Sequence, residues 1–219
     1  GPKGRTLVTA NTAPKAGFGE MKILDKQACE CCRIDALADS KGNVDVIYRD
    51  LNDAGERDMG YVHSVDFGKT YSESVPMYED HWKVNACPHA GPSLVRGPNG
   101  LEAAWYTGAN GSSGVKWAYL VNKKMIQHLP GDKIRMPQLA SNPNGETALV
   151  FAEIKQEGDR YYKQIGLVLK DVKGKLSKFY ISDPAYDCAY PVIKWTGKSW
   201  VIAYEAVKES QQLIQVVEK

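Results

Sequence analysis

Four of the five cysteines in this 219-residue chain fall in two short segments, Ala28-Cys29-Glu30-Cys31-Cys32-Arg33 and Ala86-Cys87-Pro88-His89. Thiols and imidazoles bind soft and borderline metals, and thiols also form disulfides, so their meeting at one point would be chemistry and not packing. A pair of Cys-X-X-Cys steps, the framework of a zinc finger, is absent, so any site has to be assembled by the fold. The odd cysteine count excludes complete internal pairing: at least one sulfur is free, metal-bound or joined to another molecule.

The positioning falls to β-strands. Short runs rich in valine, isoleucine, tyrosine and tryptophan are separated by Gly, Asn, Asp and Pro clusters, and no long apolar pattern has a helical period. The runs recur in a fixed order, the mark of a repeat architecture. In each of four units a first strand leads through a turn to a second strand ending in an aromatic residue: 33–39 then 44–48, 93–96 then 101–106, 138–141 then 147–151, and 192–195 then 200–204. Third strands are predicted over 58–65, 115–121, 162–169 and 212–217, and fourth strands over 71–77, 125–129 and 176–181. The expected class is all-β, a β-propeller of four-stranded antiparallel blades forming a single domain over residues 1–219. Four blades lie at the low end for a propeller, which fits part of a larger wheel. The last unit ends after its third strand, whereas residues 5–10 and 20–24 precede the first unit without a partner. These N-terminal residues are expected to complete the last blade or an adjoining one and so hide sheet edges.

Composition narrows the partners. With 43% hydrophobic and 25% charged residues the chain is a globular candidate and not a disordered one. The formal charge of +2 and the scattering of lysines among acids exclude an electrostatic nucleic-acid footprint. No stretch reaches the roughly 20 apolar residues of a membrane span, and the N-terminus lacks the apolar core of a signal peptide. The opening Gly1-Pro2 reads as the scar of a cleaved expression tag.

The stretch Ser64-Val65-Asp66-Phe67-Gly68-Lys69-Thr70-Tyr71 resembles an Asp box, the Ser-X-Asp-X-Gly-X-Thr-aromatic turn of the bacterial neuraminidase repeat (BNR) in sialidases and sialidase-like propellers. Asp171-Val172-Lys173-Gly174 is a degenerate second copy. The resemblance implies a propeller, six-bladed in known members, and an extracytoplasmic location (periplasmic, surface or secreted). It also implies that Ser64, Asp66, Gly68 and Thr70 form a structural turn at the blade periphery and not a catalytic site.

In a propeller the loops leading into the first strands converge on one face. Here they read Cys29-Glu30-Cys31-Cys32-Arg33, then Cys87-Pro88-His89-Ala90-Gly91-Pro92, then Arg135-Met136-Pro137, then Asp187-Cys188-Ala189-Tyr190-Pro191. The expectation is a metal site with Cys29, Cys31, Cys32, Cys87, His89 and either Cys188 or Met136 as ligand candidates, copper or zinc being the ion and Met136 favouring copper. His81 stands close upstream as a weaker candidate. Disulfides from Cys29 or Cys32 to Cys87, stapling blades in an exported interaction scaffold whose partner is another protein, are the alternative. The sialidase resemblance adds a third reading, a glycan-binding or glycoside-cleaving propeller. On it, Arg33 and Arg135 would bind a carboxylate, Tyr190 would be the nucleophile, and Glu205 or Glu153 would assist. The sialidase Arg-Ile-Pro entry is missing, since Arg33-Ile34 is followed by Asp35.

Overall fold

The computed structural model describes residues 4–13 and 15–219, so the Gly1-Pro2 dipeptide lies outside the described residues. These residues form strands, turns and bends with no helix, and hence none long and apolar enough to cross a membrane. The chain divides into two compact units, residues 1–92 and 93–219.

The first unit holds β1 (Arg5–Thr9), β2 (Thr12–Ala13), β3 (Gly17–Phe18), β4 (Lys22–Ala28), β5 (Asp35–Ala38), β6 (Val44–Arg49), β7 (Met59–Ser64) and β8 (Val75–Tyr78). The last four make one antiparallel blade in the order β5-β6-β7-β8. The second unit holds β9 (Ser93–Gly97), β10 (Gly100–Thr107), β11 (Gly114–Tyr119), β12 (Met125–Pro130), β13 (Ile134–Ser141), β14 (Thr147–Glu157), β15 (Arg160–Lys170), β16 (Leu176–Tyr180), β17 (Asp187–Trp195), β18 (Trp200–Lys208) and β19 (Gln211–Glu218). It contains two four-stranded blades, β9 to β12 and β13 to β16, and a three-stranded sheet β17-β18-β19. The fold is thus all-β, built of propeller-type antiparallel blades in the order read from the repeat.

The N-terminal residues behave differently from expectation. β1 and β4 pair with each other, Arg5 opposite Ala28 and Val8 opposite Ile23. They form a two-stranded sheet of their own, and in the second unit β18 is the pairing partner of β19. The reason is local burial: Leu7 and Ala28 pack with Val46, Tyr48 and Val62, so the short sheet covers the face of the first blade.

Second strands carry the core because they are covered on both faces, which is why they read as continuous apolar runs and not as an alternation. Ala148, Leu149, Val150, Phe151 and Ala152 of β14 are all buried. Between the last two sheets Val150, Ile165 and Leu167 pack with Ile193, Trp200, Ile202 and Tyr204. A recurrent device seats the aromatic ends of these strands: Tyr48 lies opposite Gly60 and Phe151 opposite Gly166, each ring lying over the glycine of the third strand. A Cβ at Gly166 would stand 2.2 Å from the Phe151 ring, itself fully buried. Gly166→Ala is therefore expected to cost about 1–3 kcal/mol by overpacking, read as a lowered urea midpoint with an unchanged slope.

One polar interlock lies between the sheets of the second unit. The Lys170 ammonium, on β15, contacts the Glu102 carboxylate on β10, with the two side chains 4% and 0% exposed. Trp117 Nε1 donates to the other Glu102 oxygen at 3.0 Å.

The stretch 64–71 leaves the end of β7 and precedes β8. Asp66 accepts hydrogen bonds from the Thr70 amide at 2.9 Å and the Thr70 hydroxyl at 2.6 Å, and Ser64 Oγ accepts from the Gly68 amide at 2.9 Å. The Thr70 hydrogen bonds hold the Asp66 carboxyl well below the usual carboxylate range. The degenerate copy has the same place between β15 and β16, where Asp171 accepts from the Lys173 and Lys175 amides at 2.9 and 2.8 Å.

Candidate functional site

Three thiols meet in the first unit. Cys29, Cys31 and Cys32 lie on the turn that follows β4, with one sulfur from each within 4.8 Å of the others. Cys29 Sγ is 3.0 Å from Cys32 Sγ and 3.8 Å from Cys31 Sγ. Cys87, on the segment after β8, stands outside that 4.8 Å group; its thiol interacts with that of Cys31 and lies 3.9 Å from Glu30 Oε1.

The backbone fixes both segments to the first blade. The Cys29 amide donates to the Arg49 carbonyl at the end of β6 at 2.7 Å, and the Arg57 amide donates to the Trp82 carbonyl at 2.8 Å. Two fully buried arginines then close the floor. Arg49 spans Ala90 O, at 3.0 and 2.9 Å, and Arg57 O at 2.5 Å, and its guanidinium sits 4.8 Å from the Trp82 ring. Arg57 donates from Nε to Val84 O at 3.2 Å and from Nη1 to Cys29 Sγ at 3.1 Å, while its buried Nη2 has no hydrogen-bond partner.

This setting splits the thiols. The hydrogen bond with Cys32, helped by Cys31 and the charge of Arg57, pulls Cys29 down to about 5 against the resistance of burial. The same hydrogen bond, with burial, pushes Cys32 up. Cys87 is pushed up by its interaction with Cys31.

His89 is exposed, in a left-handed conformation (φ 48°), with Nδ1 3.0 Å from the Cys87 carbonyl. Donation from Nδ1 would leave the lone pair on Nε2, the tautomer a metal ligand needs. Cys188 and Met136 lie in the second unit. Cys188 belongs to β17 and is fully buried in the apolar core beside Ile193 and Ile202, where burial pushes its thiol up. Met136 Sδ accepts the Tyr190 amide at 3.4 Å. His81 is 3.3 Å from Glu56 Oε1, and with Asp58 these form a separate group. Asp58 is committed to the backbone amides of His81 and Trp82 at 2.9 and 3.1 Å, which makes that group a loop anchor.

The residues named for sugar chemistry are also placed. Arg33 donates to Pro92 O at 3.1 Å in the first unit. In the second, Arg135 stacks 3.6 Å from the Tyr106 ring centroid and its buried Nη1 has no partner. Met136 and Tyr190 both precede proline, both sit at bulges in first strands, and both are left-handed, with φ of 59° and 53°. Left-handed backbone at a bulky residue is strained; Met136 still packs on the core, and at Tyr190 the side chain leaves the sheet. Tyr190 is accordingly 63% exposed. Glu205 pairs with Gln212 at 3.0 Å, and Glu153 with Lys155 at 2.7 Å and the Tyr180 hydroxyl at 2.5 Å.

Arg49 and Arg57 were not among the site residues singled out from the sequence. A legible signal was present: Arg49 ends the apolar run Val46-Ile47-Tyr48, where a charge has to have a buried partner. The single Cys-X-X-Cys step from Cys29 to Cys32 was likewise a sign that those two sulfurs would face each other.

No protein-family model matches the chain, and no curated protein matches it. Solved structures do. An endo-arabinase from Bacteroides thetaiotaomicron VPI-5482 is 10% identical over 85% of this chain and 74% of its own, with a TM-score of 0.46. A xylan β-1,4-xylosidase from Bacillus halodurans C-125 is 14% identical over 84% of this chain and 40% of its own, with a TM-score of 0.43. An acylaminoacyl peptidase from Pyrococcus horikoshii is 12% identical over 85% of this chain and 32% of its own, with a TM-score of 0.45. The three names do not share an activity, and the likeness is one of fold.

Proposed function

We propose that this protein binds a thiophilic cation, zinc or copper(I), through Cys29, Cys31, Cys32 and Cys87, with His89 the substitute donor for Cys87. The observation that carries the reading is the convergence of three sulfurs within 4.8 Å above two buried guanidiniums. Tetrahedral zinc with bonds of about 2.3 Å needs sulfurs about 3.8 Å apart. The 3.8 Å separation of Cys29 and Cys31 fits that, and the 3.0 Å contact to Cys32 has to open. Charge supports the same reading: four thiolates on a dication, or three on copper(I), leave a net charge of −2, which Arg49 and Arg57 offset. Buried charge without such an offset is prohibitive. Met136, with its sulfur engaged in the second unit, no longer favours copper over zinc. The Asp-box resemblance supports an exported setting for this chemistry.

Elemental analysis of protein purified without chelator, together with thiol counting, tests the reading. About one zinc or copper per chain, with thiols protected until a chelator is added, is expected. Metal-free protein with four oxidised cysteines would replace it with the disulfide-stapled scaffold.

A second reading has its own observation. The unpartnered buried Nη1 of Arg135, near the strained Met136 and the exposed Tyr190, offers a donor and an aromatic surface that a glycan would use. Glycan-array binding or sialoside turnover that is lost in both Arg135→Ala and Tyr190→Phe would support a carbohydrate-active surface in the second unit. Retention in both variants would end it.

A further inference from the structure

We infer that the metal-free cluster reduces hydrogen peroxide in a single turnover, with Cys29 as the attacking sulfur, Cys32 as the resolving thiol and Arg57 as the group that holds the peroxide. The inference goes beyond cation binding and does not require it.

Geometry carries the argument. Cys29 and Cys32 sulfurs stand 3.0 Å apart, close enough for a disulfide to form with little backbone movement. Cys29 Sγ accepts Nη1 of Arg57 at 3.1 Å, and the second terminal nitrogen of that guanidinium is buried without a partner. A fully buried guanidinium that already touches a sulfur and keeps one donor unused is set to hold a small oxygen acceptor beside that sulfur. A surface groove of about 360 Å³ has Leu51, Gly55, Arg57, Lys83, Val84 and Asn85 among its lining, so Arg57 forms part of its wall. Cys29 itself is only 8% exposed and does not line that groove, which keeps bulky disulfide substrates from its sulfur.

The chemistry balances. The Cys29 thiolate attacks one peroxide oxygen, an S–O bond forms as the O–O bond breaks, and the departing hydroxide takes a proton from solvent and leaves as water. Cys32 sulfur then attacks the sulfenic sulfur: the S–S bond forms, the S–O bond breaks, and the hydroxyl leaves as a second water with the Cys32 proton. One peroxide is reduced by two electrons and the dithiol is oxidised by two. The product withdraws two of the four sulfurs from metal binding.

The test uses the whole chain, reduced, stripped with chelator and desalted, then mixed with equimolar hydrogen peroxide and mapped by mass spectrometry after alkylation. A Cys29–Cys32 disulfide forming ahead of any change at exposed Cys87 is expected. In Cys32→Ser, dimedone should trap Cys29 as the sulfenic acid, and Arg57→Lys should slow Cys29 oxidation by about tenfold or more. Oxidation of Cys87 before Cys29 would overturn the inference, as would an Arg57→Lys protein of native circular dichroism that reacts at the original rate. If Arg57→Lys does not fold, the dimedone result in Cys32→Ser decides. Zinc and copper titration of the same stripped protein is scored separately, so failure of cation binding and failure of peroxide reduction are told apart.

Discussion

Cys29→Ser should abolish tight cation binding while leaving the β-sheet circular dichroism in place. Structural zinc sites of four ligands are worth about 10–16 kcal/mol, so one ligand accounts for roughly 3 kcal/mol and its loss weakens affinity by about a hundredfold or more. Cys29 should exceed that average, because its sulfur touches Cys31, Cys32 and Arg57 together. Cys87→Ser should fall nearer the average, since Cys87 is exposed and His89 lies two residues away to replace it. Competition with a chromogenic chelator measures both. Equal affinities for the wild type, Cys29→Ser and Cys87→Ser would remove the cation from the cluster. Loss of folding in Cys87→Ser without any metal change would instead identify a disulfide.

Glu102→Gln should be the most damaging single change in the second unit. It keeps the shape and strips the charge that faces Lys170, leaving an ammonium 4% exposed with no carboxylate. Breaking a buried pair from one side costs about 3–5 kcal/mol. The double variant Glu102→Leu with Lys170→Met should recover most of that loss, because it removes both desolvated charges. Urea unfolding of Glu102→Gln and of the double variant decides the matter. A double variant no more stable than Glu102→Gln would mean that the interlock acts through shape, with Trp117 Nε1 losing its 3.0 Å acceptor.

Blade order was legible because strands covered on both faces leave apolar runs closed by aromatics, and turns leave Gly, Asn and Pro. The runs Val44-Asp45-Val46-Ile47-Tyr48 and Thr147-Ala148-Leu149-Val150-Phe151 lie in second strands of the kind expected. First strands were read too short: β13 and β17 begin at Ile134 and Asp187, since bulges hide strand continuity behind Met136-Pro137 and Tyr190-Pro191. That difference decides the surroundings of Cys188. Read as part of an entry loop it would be available, but on a strand its side chain enters the core. The pairing of β1 with β4 was illegible because nothing in either short run specifies whether its partner is near or distant in the chain. The placing of Cys31 and Cys87 on segments that lead into first strands, β5 and β9, followed from the repeat alone. The two arginines beneath them did not, because a charge inside an apolar strand states that a partner exists without naming it.

The thiol group also ties together residues remote along the chain. Cys29 and Cys87 enclose the whole first blade, so a cross-link there, by a cation or by sulfur to sulfur, would make the intervening segment a closed ring. Restricting the unfolded chain over that span is worth about 4 kcal/mol on loop-entropy grounds. A protease cutting the exposed Asn52-Asp53-Ala54-Gly55 turn would then open the ring without releasing a fragment. The nicked halves should migrate as one species until chelator or reductant is added.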